Sequence, residues 1–196
     1  TIEPDTPFAE RHNQGGLFAD ESDVAREERE ACMFEAAMDH LPAAGYAHYE
    51  IANFAQPGRR CAHNLAYWRN EPYIGLGPAA HSYLPTAAPP LCERSANTSD
   101  IEEYTALARR RGVATASRER LAPAKAVGES IMLGLRLIDG VDLRKIAQRW
   151  GLDPRERFAA EIERLASKGM IEERGGSIRL TRRGILLADE VMQLFV

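Results

Sequence analysis

The last third of the chain is punctuated so regularly that it admits few folds. From Pro123 onward, helix-start and helix-stop residues bracket every apolar run. Pro123 can occupy the first turn of a helix, where its missing N–H costs nothing. Val127, Ile131, Gly134, Leu135 and Ile138 then share the buried side of a helix running to about Ile138. Asp142 caps a second helix to Trp150, stopped by Gly151. Asp153-Pro154 opens a third, with Phe158, Ile162 and Leu165 inward and Gly169 at its end. Residues 171–180, broken by Gly175-Gly176, read as a short hairpin. Thr181 caps a last helix to about Phe195. Three helices, a two-stranded wing and a closing helix make a winged-helix-like α+β module, assigned to residues 122–196.

Residues 1–121 follow a different rhythm. Pro4, Pro7, Gly15 and Gly16 mark residues 1–19 as a strand end and loop, with His12 solvated. Ser22 can cap a helix over residues 23–44, because Val24, Ala31, Phe34, Met38 and Leu41 recur at helical spacing. Pro42 shortens or bends its last turn, Gly45 ends it, and the charged run at 26–30 is a solvated face. After Gly45 the period becomes two: Tyr46, His48 and Glu50 face one way, Ala47, Tyr49 and Ile51 the other. A helix running tightly into a strand is the α/β unit of a barrel. Residues 54–71 read as a loop containing a short helical turn at 65–68, which would put His63 and Tyr67 four apart on one face. Gly75 and Gly77 permit close backbone approach. Residues 85–96 are a crossover without periodicity. Thr98 or Ser99 caps a helix carrying Ile101, Tyr104, Leu107 and Ala108 and ending at Gly112. Residues 113–122 are small and polar, and the domain boundary is placed there.

Chemistry concentrates between Tyr46 and Leu84, which holds three of the five histidines and one of the two tryptophans. At its centre, Cys61-Ala62-His63-Asn64-Leu65-Ala66-Tyr67-Trp68 gathers a thiol, an imidazole, an amide and two large π-faces. A porphyrin site wants such a set: an imidazole for the iron, aromatic faces for the macrocycle and a cation near the propionates. Arg59, Arg60 and Arg69 flank it. A histidine beside aromatics also serves as an ordinary hydrogen-bonded packing residue, and Cys61 can be a second soft ligand or a free structural thiol.

Order and spacing add a resemblance. Tyr49-Glu50-Ile51-Ala52-Asn53-Phe54-Ala55, Pro57-Gly58, the hexapeptide HNLAYW at 63–68, Gly75-Leu76-Gly77 and Ala80-His81-Ser82 resemble the HemW heme chaperones, radical-SAM relatives of the oxygen-independent coproporphyrinogen III oxidases. The resemblance implies an α/β fold, the end of a radical-SAM partial TIM-like barrel, ahead of the winged-helix-like domain. It implies heme as cargo, with His63 on the iron and Asn64, Tyr67 and Trp68 around it. Glu50, Gly75, Gly77, His81 and Ser82 would lie toward the cofactor pocket. Glu50 can equally be structural, and His81 can simply bind loop backbone. Partners would be heme-accepting apoproteins, with a dimer left open. Thr1-Ile2-Glu3-Pro4 resembles a stretch well inside such proteins, so the chain is expected to be a C-terminal part. The CxxxCxxC that binds a [4Fe–4S] cluster and S-adenosylmethionine would lie upstream. No catalytic residue is assigned, and whether the chain belongs to an enzyme stays open; coproporphyrinogen oxidation is the alternative reading.

Charge bears on a third reading, a nucleic-acid-binding winged helix. The net charge is −4. From residue 122, thirteen Lys and Arg meet eleven Asp and Glu. Arg155, Arg157, Arg164 and Lys168 on the third helix are interleaved with Asp153, Glu156, Glu161 and Glu163, whereas DNA readers show a clear basic stripe. Arg179, Arg182 and Arg183 leave a small basic spot. No nucleic-acid partner is expected. No apolar run approaches the roughly 18 residues of a membrane span, no signal pattern opens the chain, and three widely spaced cysteines suit a reducing compartment, so the cytoplasm is expected.

Overall fold

The computed structural model describes residues 7, 23–86 and 92–196. The expected loop at 1–19 with His12 and the Ser22 cap lie outside them, Pro7 apart. The chain divides into two compact units, Thr1–Tyr46 and Ala47–Val196.

In the first unit, α1 spans Asp23–His40. Ala31, Phe34, Met38 and Leu41 are half-buried along one side, while Val24, expected on the same stripe, is 65% exposed. The helix stops four residues short of expectation. Pro42 has no N–H to continue the α ladder, and the chain tightens into a 3-10 turn at Pro42–Ala44. Gly45, at φ +82°, closes it in the left-handed region by donating its N–H to Pro42 O at 3.0 Å.

The second unit opens with β1 (Ala47–Glu50), which pairs antiparallel with β2 (Asn53–Ala55). A strand was expected at the first position and a loop at the second. Three residues are too few for period two to register. His48 lies flat on Phe54 across the pair, ring centroids 4.2 Å apart. All strand pairs among the described residues are antiparallel, so the parallel ladder of a βα repeat is not among them.

After helix α2 (Ala62–Trp68), an antiparallel sheet is built from β3 (His81–Pro85), β4 (Cys92–Asn97) and β5 (Thr115–Leu121), in that order. The expected crossover at 85–96 and polar boundary at 113–122 are therefore corrected: both carry strands. Their charges face one another across the ladder. Arg94 stands opposite Glu119 and Glu93 opposite Arg120, giving ion pairs Arg94–Glu119 at 3.6 Å, Arg120–Glu93 at 3.6 Å and Arg118–Glu93 at 2.9 Å. Between β4 and β5 runs α3 (Ile101–Arg111), capped by Asp100 rather than Thr98 or Ser99. Asp100 accepts from Glu103 N at 2.7 Å, while Thr98 Oγ1 donates to the Glu103 carboxylate at 2.6 Å.

The C-terminal region buries most of the apolar core. Helix α4 spans Pro123–Gly134, with Ala126, Val127, Ile131 and the following Leu135 at 0% exposure. It ends before Ile138 because the chain turns tightly, Leu137 N donating to Gly134 O. A two-residue strand β6 (Val141–Asp142) precedes α5 (Leu143–Trp150), and Asp142 caps it as expected. The expected third helix is two, α6 (Pro154–Arg157) and α7 (Ala159–Ser167). They break at Phe158, whose φ of −116° lets its ring meet Phe195 edge-on at 5.3 Å. The hairpin β7 (Ile171–Arg174) and β8 (Ser177–Leu180) gains β6, making a three-stranded wing in the order β6-β8-β7. Thr181 caps α8 (Arg182–Leu186), and the closing helix breaks at Leu187 into α9 (Ala188–Met192) and a 3-10 turn at Gln193–Phe195. A winged-helix-like α+β arrangement results.

Candidate functional site

The hexapeptide forms helix α2 over its whole length, more than the expected turn. Nothing caps its N-terminus through a side chain, although the Cys61 thiol lies 3.5 Å from Asn64 Oδ1 as a weak donor. At its far end Asn70 turns into the left-handed region at φ +53°. Its side chain is buried and donates to Ser130 Oγ at 3.1 Å. Trp150 Nε1 donates to the same oxygen at 3.0 Å, and the Ser130 hydroxyl donates to Ala126 O at 2.7 Å. A fully satisfied buried knot thus anchors the end of α2 to α4 and α5.

Helical spacing brings His63 and Tyr67 together, with ring centroids 4.9 Å apart and planes 77° apart. His63 is exposed, and neither ring nitrogen has a hydrogen-bond partner among the described residues. Tyr67 in turn lies 4.5 Å from Tyr73, which lies 6.3 Å from Tyr83, so a row of rings runs from the surface to a phenol only 1% exposed. Burial, reinforced for Tyr73 by Tyr67 and for Tyr83 by the Cys92 thiol, pushes both phenols above their ordinary range. Those two phenols stay protonated at neutral pH, and the exposed His63 imidazole stands at the surface end of the row.

Trp68 takes the opposite side of the helix. The Arg136 guanidinium sits 4.3 Å above its ring, and its Nε1 is buried without an acceptor among the described residues. Of the flanking cations, Arg60 meets Asp139 at 3.5 Å and Arg69 meets Glu71 at 4.0 Å. Arg59 is exposed.

The remaining residues are knitted into the fold. Glu50 is 0% exposed; one carboxylate oxygen accepts from Asn53 Nδ2, and the other has no donor among the described residues. Gly75 passes so close to β3 that a Cβ would stand 2.0 Å from His81 O. Its N–H donates to Ser82 Oγ at 3.0 Å. Gly77 N donates to Tyr104 Oη at 3.2 Å, and Gly77 O accepts from Asn97 Nδ2 at 2.9 Å. Ser82 and both glycines therefore spend their polar groups on one another and on α3 and β4. His81 alone of this set is exposed. The described residues contain no group of three or more His, Cys, Asp and Glu side chains placed to share a metal ion.

Arg136, Asn70 and Ser130 escaped sequence reading. Ser130 and Arg136 sit in or just after an apolar helix where periodicity gives polar residues no role, and a polar residue interrupting a buried stripe is the signal that would have found them.

Comparison with known proteins adds kinship to this geometry. Residues 121–187 match the family described as the HemN C-terminal domain. The chain is 32% identical over 195 residues to the heme chaperone HemW of Bacillus subtilis (strain 168), across 100% of this chain and 48% of that protein. It is 36% identical over 140 residues to the heme chaperone HemW of a Synechocystis strain, across 71% of this chain and 32% of that protein. Among solved structures it resembles the coproporphyrinogen III oxidase HemN of Escherichia coli, a radical SAM enzyme. The TM-score is 0.60 at 19% identity, over 82% of this chain and 39% of that one. That likeness shows the fold. The chain spans about half the length of the curated relatives it matches or less.

Proposed function

The chain belongs to the HemW-type branch of the radical-SAM, coproporphyrinogen III oxidase-like family, and from that membership we propose that it takes part in binding heme and passing it to heme-requiring apoproteins. The observation that carries this reading is the His63 imidazole, exposed on a helix whose other side is locked down. A ligand must be reachable yet held still, and α2 meets both needs.

His63 coordinates the cargo iron, Tyr67 lies beside the macrocycle, and Asn64, half-buried on the same helix, stands next to the ligand. Trp68 acts from behind: clamped by Arg136, it fixes the helix that presents His63. Arg59 is the flanking cation without an ion pair among the described residues and is best placed to meet a propionate. Transfer to an acceptor needs a site that releases as well as binds, and a single imidazole on an open surface suits that demand better than an enclosed pocket.

Glu50, Gly75, Gly77 and Ser82 serve this reading by shaping the chain beneath the site, and His81 is the member able to face a cofactor. The described residues do not fit a [4Fe–4S] cluster, which needs grouped cysteines. We keep the domain boundary between residues 121 and 122. It is supported by the family match beginning at 121 and by Pro123 opening α4, although 47–196 cohere as one compact unit. Nucleic-acid binding is disfavoured by the pairing of wing charges, Arg179 with Glu172 at 2.6 Å and Arg155 with Glu173 at 2.7 Å. No described helix is long and apolar enough to cross a membrane.

Titration of hemin into the full chain and into His63→Ala tests the proposal. Loss of the Soret shift and an affinity drop of about tenfold or more are expected, since one ligand bond is removed. Identical spectra and affinity in both would sink it.

A further inference from the structure

The chain has two tryptophans, and both line one cavity of about 420 Å³. Trp68 enters from the end of α2, Trp150 from the end of α5, and Val141 and Ile146 add apolar wall. His63, Asn64 and Tyr67 do not line it. Each indole carries a guanidinium against its ring, Arg136 at 4.3 Å from Trp68 and Arg149 at 4.8 Å from Trp150, which fixes both rings in place.

Charge around the cavity is lopsided. Arg69, Lys145 and Arg149 line it, against one carboxylate, that of Asp142. Arg144 already engages both oxygens of that carboxylate, at 3.1 and 2.9 Å. Lys145 has no ion pair among the described residues. Arg149 makes its hydrogen bond to a backbone oxygen, Arg69 O, at 3.5 Å. Arg69 reaches Glu71 only at 4.0 Å. Three cations beside low-dielectric walls set up a positive potential that an anion would relieve. The volume lies within the range of small-molecule sites, where mostly apolar walls bind the body and a few polar groups fix its orientation.

We propose that this cavity binds a small planar aromatic anion, its ring system beside Trp68 and Trp150 and its carboxylate or phosphate toward Lys145, Arg149 and Arg69. The site is separate from His63 and does not depend on heme binding. Its position between the hexapeptide helix and the wing gives such a ligand a direct hold on Trp68, which ends the helix that carries His63.

The two indole N–H resonances of the full chain report the site directly. Titration with 2-naphthoate, 2-naphthyl phosphate and the uncharged 2-naphthamide should shift both signals with either anion. Calorimetry should give an affinity for the better anion about tenfold or more above that for the amide. Whichever anion binds more tightly identifies the acidic group the site is built for. Lys145→Glu, at an exposed position, should weaken the anion about tenfold and leave the hemin titration unchanged; Lys145→Ala gives a smaller loss in the same direction and serves if the reversal disturbs folding. Equal binding of the amide, stationary indole signals, or full affinity in both Lys145 variants would overturn the proposal.

Discussion

The sheet β3-β4-β5 and the C-terminal core solve the same problem by opposite means. In the sheet, β5 shows five consecutive exposed residues between its half-buried first residue and the buried Leu121, and the ladder carries a lattice of Arg–Glu pairs. In the C-terminal core, Ala126, Val127, Ile131, Leu135 and Ile178 are wholly buried, and the buried carboxylate of Glu129 is met by Arg94. Exposed ion pairs contribute little each because water and salt screen them, whereas a buried aliphatic side chain contributes about 1.5–3 kcal/mol. Cohesion of the second unit therefore resides in its C-terminal half, and the sheet is held as much by backbone ladders and a few inward anchors, Tyr83, Cys92 and Leu121, as by its visible charges.

The largest effect that would separate the two regions is a cavity in the core. Ile131→Ala, at a 0% exposed position, is expected to cost about 2–5 kcal/mol. Urea unfolding should show a lower midpoint with an unchanged slope. A loss below about 1 kcal/mol would mean that the core collapses around the gap and would break the contrast.

That contrast also governs what the sequence could disclose. The helices from Pro123 onward were legible because Pro123 opens the first and Asp142, Asp153 and Thr181 cap later ones through their side chains, while glycines or turns mark the stops. Breaks at Phe158 and Leu187 were not, because ring packing between Phe158 and Phe195, thirty-seven positions apart in the chain, decides the first and no local signal marks either. The strands CERSAN and TASRERL carry polar residues on both faces, so period two never appears, and their pairing is written in charges that only a known register can match. Strand β6 is two residues long and leaves no pattern. At the candidate site, the pairing of His63 with Tyr67 follows from helical spacing alone. The inward turn of Trp68 depends on Arg136, far along the chain, and so had to wait for coordinates.

A partly buried ion pair joins the two regions and so tests whether they are separable, whereas the Lys125–Glu119 pair between them is exposed. Arg94, on β4, reaches Glu129 on α4 at 2.7 Å, and Glu129 is 7% exposed. Arg94→Ala leaves that carboxylate without its partner near the core, at an expected cost of about 1–3 kcal/mol. The Glu129→Gln background should recover part of the loss, since an amide tolerates the lost cation better. An Arg94→Ala cost as small as that of Arg118→Ala, an exposed pair on the same strand ladder, would put Arg94 among the screened surface charges and erase the distinction between inward and outward ion pairs.

The smallest effect belongs to a charge inside the C-terminal region that works locally instead of across strands. Asp142 caps α5, accepting from Arg144 N at 2.9 Å while the Arg144 side chain holds its carboxylate. That side-chain contact, aided by backbone N–H groups and opposed by partial burial, holds the carboxyl at about 2, below its ordinary value near 3.8. A carboxyl depressed in the folded state stabilises that state above the unfolded value and stops doing so as pH falls through the folded one. Asp142→Ala, which removes cap and charge together, should cost about 1 kcal/mol at neutral pH. Asp142→Asn keeps a capping oxygen and should cost less. In both, the gap to the parent chain should narrow as pH drops from near 4 toward 2, because the parent then loses the charge the variants lack. A gap for Asp142→Asn that stays constant across that window would show that the carboxylate acts through its shape alone, and that charge contributes measurably only where, as at Arg94, it is turned toward the core.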